Sequence, residues 1–393
     1  MDAGPIQLRL AAALTATALL AAACSSSVSG HGAGSPVASS PSTPHSSTSL
    51  PTVTPPSTAT ATRTHPAPRL RGGFRVDDLT FVGDEGWALG TVPCASGRCA
   101  ALAHSSDDGL TWSRMSARPP VHVDHIRFAT DRIGYAFGQS ALFVTRDGGR
   151  TWHRQSGGAD ALETLSGNVI RVVDQGGCPP GCKYSVLLSS IGGTSWRAVT
   201  LPGSQGDTAT VQLVRNGRVS AIETLGRQAG GGFAYGVLFT SRNNGATWTR
   251  RGEPCPQGAN GEIDSTRLAS APDGSITVLC TPHSENGWQF TVTSTDGGAT
   301  FHTGYRRALG AAPISALGAA SASTILVSSD DTYRSTDGGR HFSRVSATNR
   351  SSVGRVRGMG FASSAVGHAM SLDGRTIWTT TDAGRTWRAA TVR

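Results

Sequence analysis

One phrase dominates this chain. "VTRDGGRTWHR", from Val144 to Arg154, recurs in recognisable form seven times. Near copies are "HSSDDGLTWSR" from His104, "TSTDGGATFHT" from Thr293, "RSTDGGRHFSR" from Arg334 and "TTTDAGRTWRA" from Thr379. Looser copies are "LSSIGGTSWRA" from Leu188 and "TSRNNGATWTR" from Thr240. Written S/T-x-D-x-G-x-T-W, the phrase ends a strand, makes a tight turn and begins another strand with an aromatic residue. Asp supplies acceptors for turn N–H groups, and Gly tolerates the positive φ that tight turns demand. Gly109, Gly149, Gly193, Gly245, Gly298, Gly339 and Gly384 occupy the glycine position in all copies. The aromatics are Trp112, Trp152, Trp196, Trp248, Phe301, Phe342 and Trp387. The acid is Asp107, Asp147, Asp296, Asp337 or Asp382 in five copies and is replaced by Ile191 and Asn243 in the other two. Seven repetitions argue for a structural role, because catalysis needs its acid once.

The first positions of successive copies lie 40, 44, 52, 53, 41 and 45 residues apart. That is the period of a four-stranded propeller blade. Three strand-like runs precede each turn, as in "VHVDHIRFA", "IGYAFG" and "ALFVT" before the second. With the run after the aromatic they make strands A to D. Residues 72–393 hold seven such units, so the fold class expected is all-β: a seven-bladed β-propeller with four antiparallel strands per blade. The aromatics should be pegs buried between blades. The chain starts at a strand A and stops after a strand D, so the ring is expected to close by packing of whole blades, with no strand donated across the seam. The A–B and C–D turns share one face, which carries all seven repeats. The longer B–C and D–A loops share the other, where binding is expected to reside.

The motif resembles the Asp-box, or bacterial neuraminidase repeat, of sialidases, sortilin-type receptors, xyloglucan hydrolases and photosystem II assembly-factor-like propellers. The last group is the most similar. Its blades combine a "GWA-G" strand with a "TTDGG-TW" turn, matched here by Gly86–Gly90 and by Gly134–Gly138 with Thr145–Trp152. The resemblance covers the whole domain and implies the fold, while one propeller scaffold serves many activities.

Residues 1–23 read as a lipoprotein-type signal peptide. Arg9 precedes an Ala/Leu-rich run, Leu10–Ala23, too short to span a bilayer. "LAAAC" resembles a bacterial lipobox, which implies cleavage before Cys24 and its lipidation; plain secretion is the alternative. Residues 24–71 then form a Ser/Thr/Pro-rich linker without the apolar content to fold. At about 5–6 Å × √n, it gives a tether with a reach on the order of 40 Å. The localisation expected is extracytoplasmic, at the membrane.

Export and the lack of a basic module argue against nucleic acid, although the net charge is +9. Arginines follow the pegs at Arg114, Arg154, Arg197, Arg250, Arg251, Arg344 and Arg388, where charge on an outer strand discourages edge-to-edge association. A sialidase would need three arginines, a Tyr–Glu pair and an acid, and the chain has only five tyrosines. A broader glycosidase reading places Asp77, Asp124, Glu163 and Asp264 at the loop-side ends of strands A, lining the channel as candidate acid and base. His122 and His125 flank Asp124 without a second ligand cluster, so no metal site is expected. The function expected is a binding or assembly scaffold for an envelope protein or glycan, acting as a monomer without cofactor; the alternative is a glycoside hydrolase at the channel mouth.

Six cysteines remain beyond Cys24, in a setting where disulfides persist. The blade map pairs Cys94 with Cys99, Cys178 with Cys182, and Cys255 with Cys280, all toward the loop face. Their shared position suggests loops held in shape for a partner.

Overall fold

The computed structural model describes residues 73–175, 184–203, 208–216, 219–227, 233–255, 263–282, 289–304, 314–347 and 353–392. The signal segment, Cys24, the linker and the Cys178–Cys182 pair lie outside the described residues.

Seven antiparallel sheets follow one another along the chain, each in the order A-B-C-D. Strands A are Arg75–Val82, His125–Phe128, Ala161–Thr164, Thr208–Asn216, Ile263–Ser270, Ala316–Ala319 and Val356–Phe361. Strands D are Thr111–Arg114, His153–Gln155, Arg197–Val199, Thr249–Gly252, His302–Thr303, Ser343–Arg344 and Thr386–Ala389. A blade packed on both faces needs apolar residues at successive positions in its middle strands, not an alternation. Gly134–Gly138 in strand B of blade 2 and Phe290–Ser294 in strand C of blade 5 are accordingly buried throughout. Strands D are the outer edges and expose their charges, as at His153 and Arg154.

The repeats form the turns expected of them. In blade 1, Ser105 Oγ donates to Asp107 Oδ1 (2.8 Å) and accepts from Gly109 N–H (3.0 Å). Asp107 also accepts from the amide and hydroxyl of Thr111 (2.8 and 2.6 Å), and Trp112 Nε1 donates to Gly109 O (2.9 Å). Blade 2 repeats the network around Asp147, whose carboxyl is held down at about 2: burial raises it, but the Thr151 and Thr145 hydrogen bonds prevail. Asn243 substitutes in blade 4, its amide donating to Thr247 Oγ1 (2.8 Å) while its oxygen accepts Thr247 N–H. Blade 3 solves the loss differently. With Ile191 in place of the acid, Gly193 N–H turns to Ser190 O and Gly192 N–H to the Tyr135 hydroxyl. Trp196 keeps no hydrogen bond at its indole nitrogen and instead lies under the Arg171 guanidinium, 4.4 Å from the ring centroid.

The apolar core divides into seven clusters, each joining two consecutive blades and each holding one aromatic peg. Trp112 packs with Ile377 of blade 7, Trp248 with Ile170 of blade 3, and Trp387 with Leu326 of blade 6. The expectation of full burial is corrected in part. Trp112 and Trp387 are sealed and Trp248 nearly so, whereas Trp152, Trp196, Phe301 and Phe342 are only half-buried.

The seam departs from expectation in an informative way. Thr391–Val392, the segment after the last strand D, pairs in parallel with Thr111–Trp112 on the outer edge of blade 1. The ring therefore does receive a short strand across its closure. Blade 6 does the same to blade 7: Ser346–Ala347 pairs in parallel with Thr386–Trp387. Both segments leave one strand D and cap the next, satisfying edge groups that would otherwise be open. A two-residue pairing carries no periodicity in sequence, so the pattern of strands could not reveal it.

Candidate functional site in the central channel

Strands A line the channel, and their inner edges have no neighbouring strand to pair with. Side chains from the preceding blade take over that role. Ile126 N–H donates to Asp78 Oδ2 (2.9 Å), Phe128 N–H to Thr80 Oγ1, Leu268 N–H to Gln212 Oε1 and Val356 N–H to Ser328 Oγ. A cavity of about 390 Å³ lies at the axis, touched by all seven strands A. Its wall is uneven. Blades 1 to 4 contribute Asp78, Arg127, Glu163 and Arg215; blades 5 to 7 contribute Leu268, Leu317, Gly318, Met359 and Phe361.

The charged wall is a continuous chain of ion pairs. Arg127 donates to Asp78 Oδ2 (2.7 Å) and to Glu163 Oε1 (2.8 Å), and Glu163 Oε2 lies 3.7 Å from Arg215 Nε. Arg215 also reaches Thr164 Oγ1 at 3.1 Å. Four blades are thus tied edge to edge by alternating charge. Burial works against ionised Asp78, but Arg127 and His125, whose Nδ1 is 3.4 Å away, hold its carboxyl below the usual range. Burial likewise works against charged Arg127, and its two carboxylates raise it above its ordinary value.

Of the four carboxylates singled out in the sequence, the three whose side chains are described are not brought together as a set. Glu163 is the one within the ion-pair chain. Asp77 is exposed at the mouth, 3.5 Å from Arg357; burial of part of its surface and the charges of Asp124 and Asp78 raise its carboxyl, against the pull of Arg357 and Arg98. Asp124 is exposed just before strand A of blade 2. Asp264 lies in strand A of blade 5, and its side chain is outside the described residues. Asp78 and Arg127 were missed, although "HIRF" carries the signal: a charge between two core residues on an innermost strand must face the axis or a neighbour's edge.

Among the described residues, two disulfides close near the loop-side ends of the strands. Cys94–Cys99 staples an exposed B–C hairpin, and Cys255–Cys280 ties the connection entering blade 5 to its strand B from within the core between blades 4 and 5. The second is packed in apolar surroundings, so it does not shape an open loop.

A protein-family model described as the BNR/Asp-box repeat matches residues 143–154. No curated protein is detectably similar in sequence. Among solved structures, the chain is similar in fold to YCF48 bound to a D1 peptide, at TM-score 0.54 and 16% identity over 82% of this chain and 98% of that one. YCF48 from Cyanidioschyzon merolae gives the same TM-score and identity over 80% of this chain and 97% of that one. A PL25 ulvan lyase bound to its saccharide matches at TM-score 0.52 and 8% identity, over 82% and 95% of the two chains. These likenesses establish the seven-bladed Asp-box propeller architecture.

Proposed function

We propose that this chain is an exported propeller, anchored by a lipid on Cys24, that works as a binding or assembly scaffold for an envelope protein. The observation that carries the reading is the commitment of the channel carboxylates. A glycosidase of the ordinary kind needs one carboxyl kept protonated as acid and a second free as base or nucleophile. Among the described residues, Asp78 and Glu163 are the acids that line the axial cavity, and Arg127 donates to both, at Asp78 Oδ2 and Glu163 Oε1. A fold neighbour that holds a peptide, YCF48, lends support to a protein partner. The test is capture from envelope membranes by the full chain, with crosslinking and mass spectrometry, beside a glycan array. The reading expects one saturable protein complex and a silent array. Selective glycan binding without a protein complex overturns it.

A second reading rests on Asp77, whose raised carboxyl lies within electrostatic reach of Asp124 at the channel mouth. Among the described residues that pair is where a hydrolase acid and base would sit, and a polysaccharide lyase shares the fold.

A further inference from the structure

The channel wall has a notch at the seam between blades 7 and 1. At the joint of blades 1 and 2, Asp78 and Thr80 accept the amides of Ile126 and Phe128. The pairing of strands A and B sets the corresponding positions in blade 7. Phe81 faces Gly86 as Phe361 faces Gly367, so Thr80 corresponds to Gly360 and Asp78 to Gly358. Blade 7 thus presents two glycines where blade 1 presents two acceptors. The amides of Leu79 and Phe81, counterparts of Ile126 and Phe128, find no side-chain acceptor on them. A methyl group added at Gly360 would touch nothing within 4 Å, and one at Gly358 would touch only the end of Met370. With no side chain on the inner strand, the axial cavity extends sideways to His368 and Met370 on strand B, with Leu79 and Phe81 of blade 1 across from them.

His368 is the polar group of this notch. It holds the strand B position of Trp87 in blade 1 and Tyr135 in blade 2. Both of those side chains hydrogen-bond to the repeat of the next blade, at Gly148 O and Gly192 N–H. His368 is 6% exposed, and its Nδ1–H is directed at Thr379 on strand C (3.3 Å). The opposite edge of the ring therefore faces strand A and the notch, and Nε2 has no partner among the described residues. Across the cavity Asp78, Arg127, Glu163 and Arg215 sum to zero charge, so a full charge on a ligand would go uncompensated. One acceptor among apolar surfaces does not suit a sugar either, because each of its hydroxyls would need a partner. At about 390 Å³ the cavity is at the small end of ligand sites.

We propose that this notch binds a neutral aromatic alcohol. Its ring rests against Leu79 and the Met370 thioether, its hydroxyl donates to His368 Nε2, and its oxygen accepts from a blade 1 amide. The site goes beyond the scaffold reading and does not depend on it.

The probe is 2-naphthol, whose own fluorescence is followed as the full chain is titrated in at neutral pH, beside 2-methoxynaphthalene and 2-naphthoate. Saturable binding is expected, about tenfold weaker for the methyl ether, which cannot donate, and for the charged naphthoate. His368→Phe keeps an aromatic ring on Phe81 and removes the acceptor, so naphthol should weaken about tenfold, to the level of its methyl ether. Gly360→Val fills the notch from a backbone that is not left-handed, and should abolish binding of both compounds with unchanged melting. No binding at all, which would leave the notch to solvent only, overturns the proposal. So does equal affinity for naphthol and its methyl ether, tighter binding of naphthoate than of naphthol, or binding that survives both variants.

Discussion

Arg127 of blade 2 donates to Glu163 of blade 3 at 2.8 Å while its other nitrogen holds Asp78 of blade 1. One guanidinium therefore joins three consecutive blades at the channel wall. Removing it takes the shared cation from two largely buried carboxylates, leaving Glu163 only the longer contact to Arg215 and Asp78 only His125. Arg127→Ala should destabilise the propeller by about 3–5 kcal/mol, the range for breaking a buried ion pair from one side. The double variant Asp78→Asn with Arg127→Met should cost less than Arg127→Ala alone, read by urea denaturation. Equal losses would mean that packing, not charge, makes the site matter.

The pegs are not energetically equal. Trp112→Ala empties a sealed site between blades 7 and 1 and should cost about 3–5 kcal/mol. Trp152 is half-buried, and Trp152→Ala should cost less, about 1–3 kcal/mol. Differential scanning calorimetry on the two variants compares them directly, and a larger loss for Trp152→Ala would contradict the burial described.

Acid should act first at the seam. His368 of blade 7 stacks on Phe81 of blade 1, with ring centroids 3.5 Å apart, and burial pushes its imidazole down to about 3 from an ordinary 6.5. Thr379 Oγ1 donates to the Gly109 and Asp108 carbonyls, so it accepts from His368 Nδ1–H and leaves Nε2 an unpaired acceptor. Between these values the unfolded chain binds a proton that the folded one refuses. Stability contributed by neutral His368 is present above pH 6.5 and is lost as pH falls toward 3. His368→Phe should flatten the melting temperature between pH 6.5 and 4. The Asp-box acids, with depressed carboxyls, lose their contribution lower, below their ordinary value of 3.8. A steep limb above pH 5 that survives His368→Phe would assign it elsewhere.

The two described disulfides should differ in access. Cys94–Cys99 is at an exposed hairpin, whereas Cys255 and Cys280 are 5% and 0% exposed. Mild reductant with alkylation should label Cys94 and Cys99 in the native protein and reach Cys255 and Cys280 only on unfolding. Equal labelling rates would contradict the packed position of the second bridge.

Much of the fold was legible because its determinants are local and repeated. Ser105, Asp107, Gly109, Thr111 and Trp112 make a turn whose partners lie within a few residues, so sequence spacing carries it, and seven copies at six blade-length spacings fix the blade count. The site was not legible in the same way. Asp78 meets Arg127 only because the ring brings strands A side by side, and no local spacing encodes that contact. Glu163 was legible as a channel residue, but its engagement by Arg127 was not, because the partner comes from the neighbouring blade. The caps at Ser346–Ala347 and Thr391–Val392 are too short for any periodic signal, and Trp152 reads like Trp112 in sequence although no strand pairs beside it among the described residues.

A reducing-end assay asks whether a channel braced by its charges also hydrolyses a glycan. The full chain is incubated with sialyl oligosaccharides, xyloglucan and mixed β-glucans, beside Asp77→Asn, Asp124→Asn and Asp264→Asn variants. On the scaffold reading, none of the four proteins releases sugar above the buffer blank. Turnover by the parent chain that disappears in one of the variants would contradict it and assign that carboxylate to a glycoside hydrolase site.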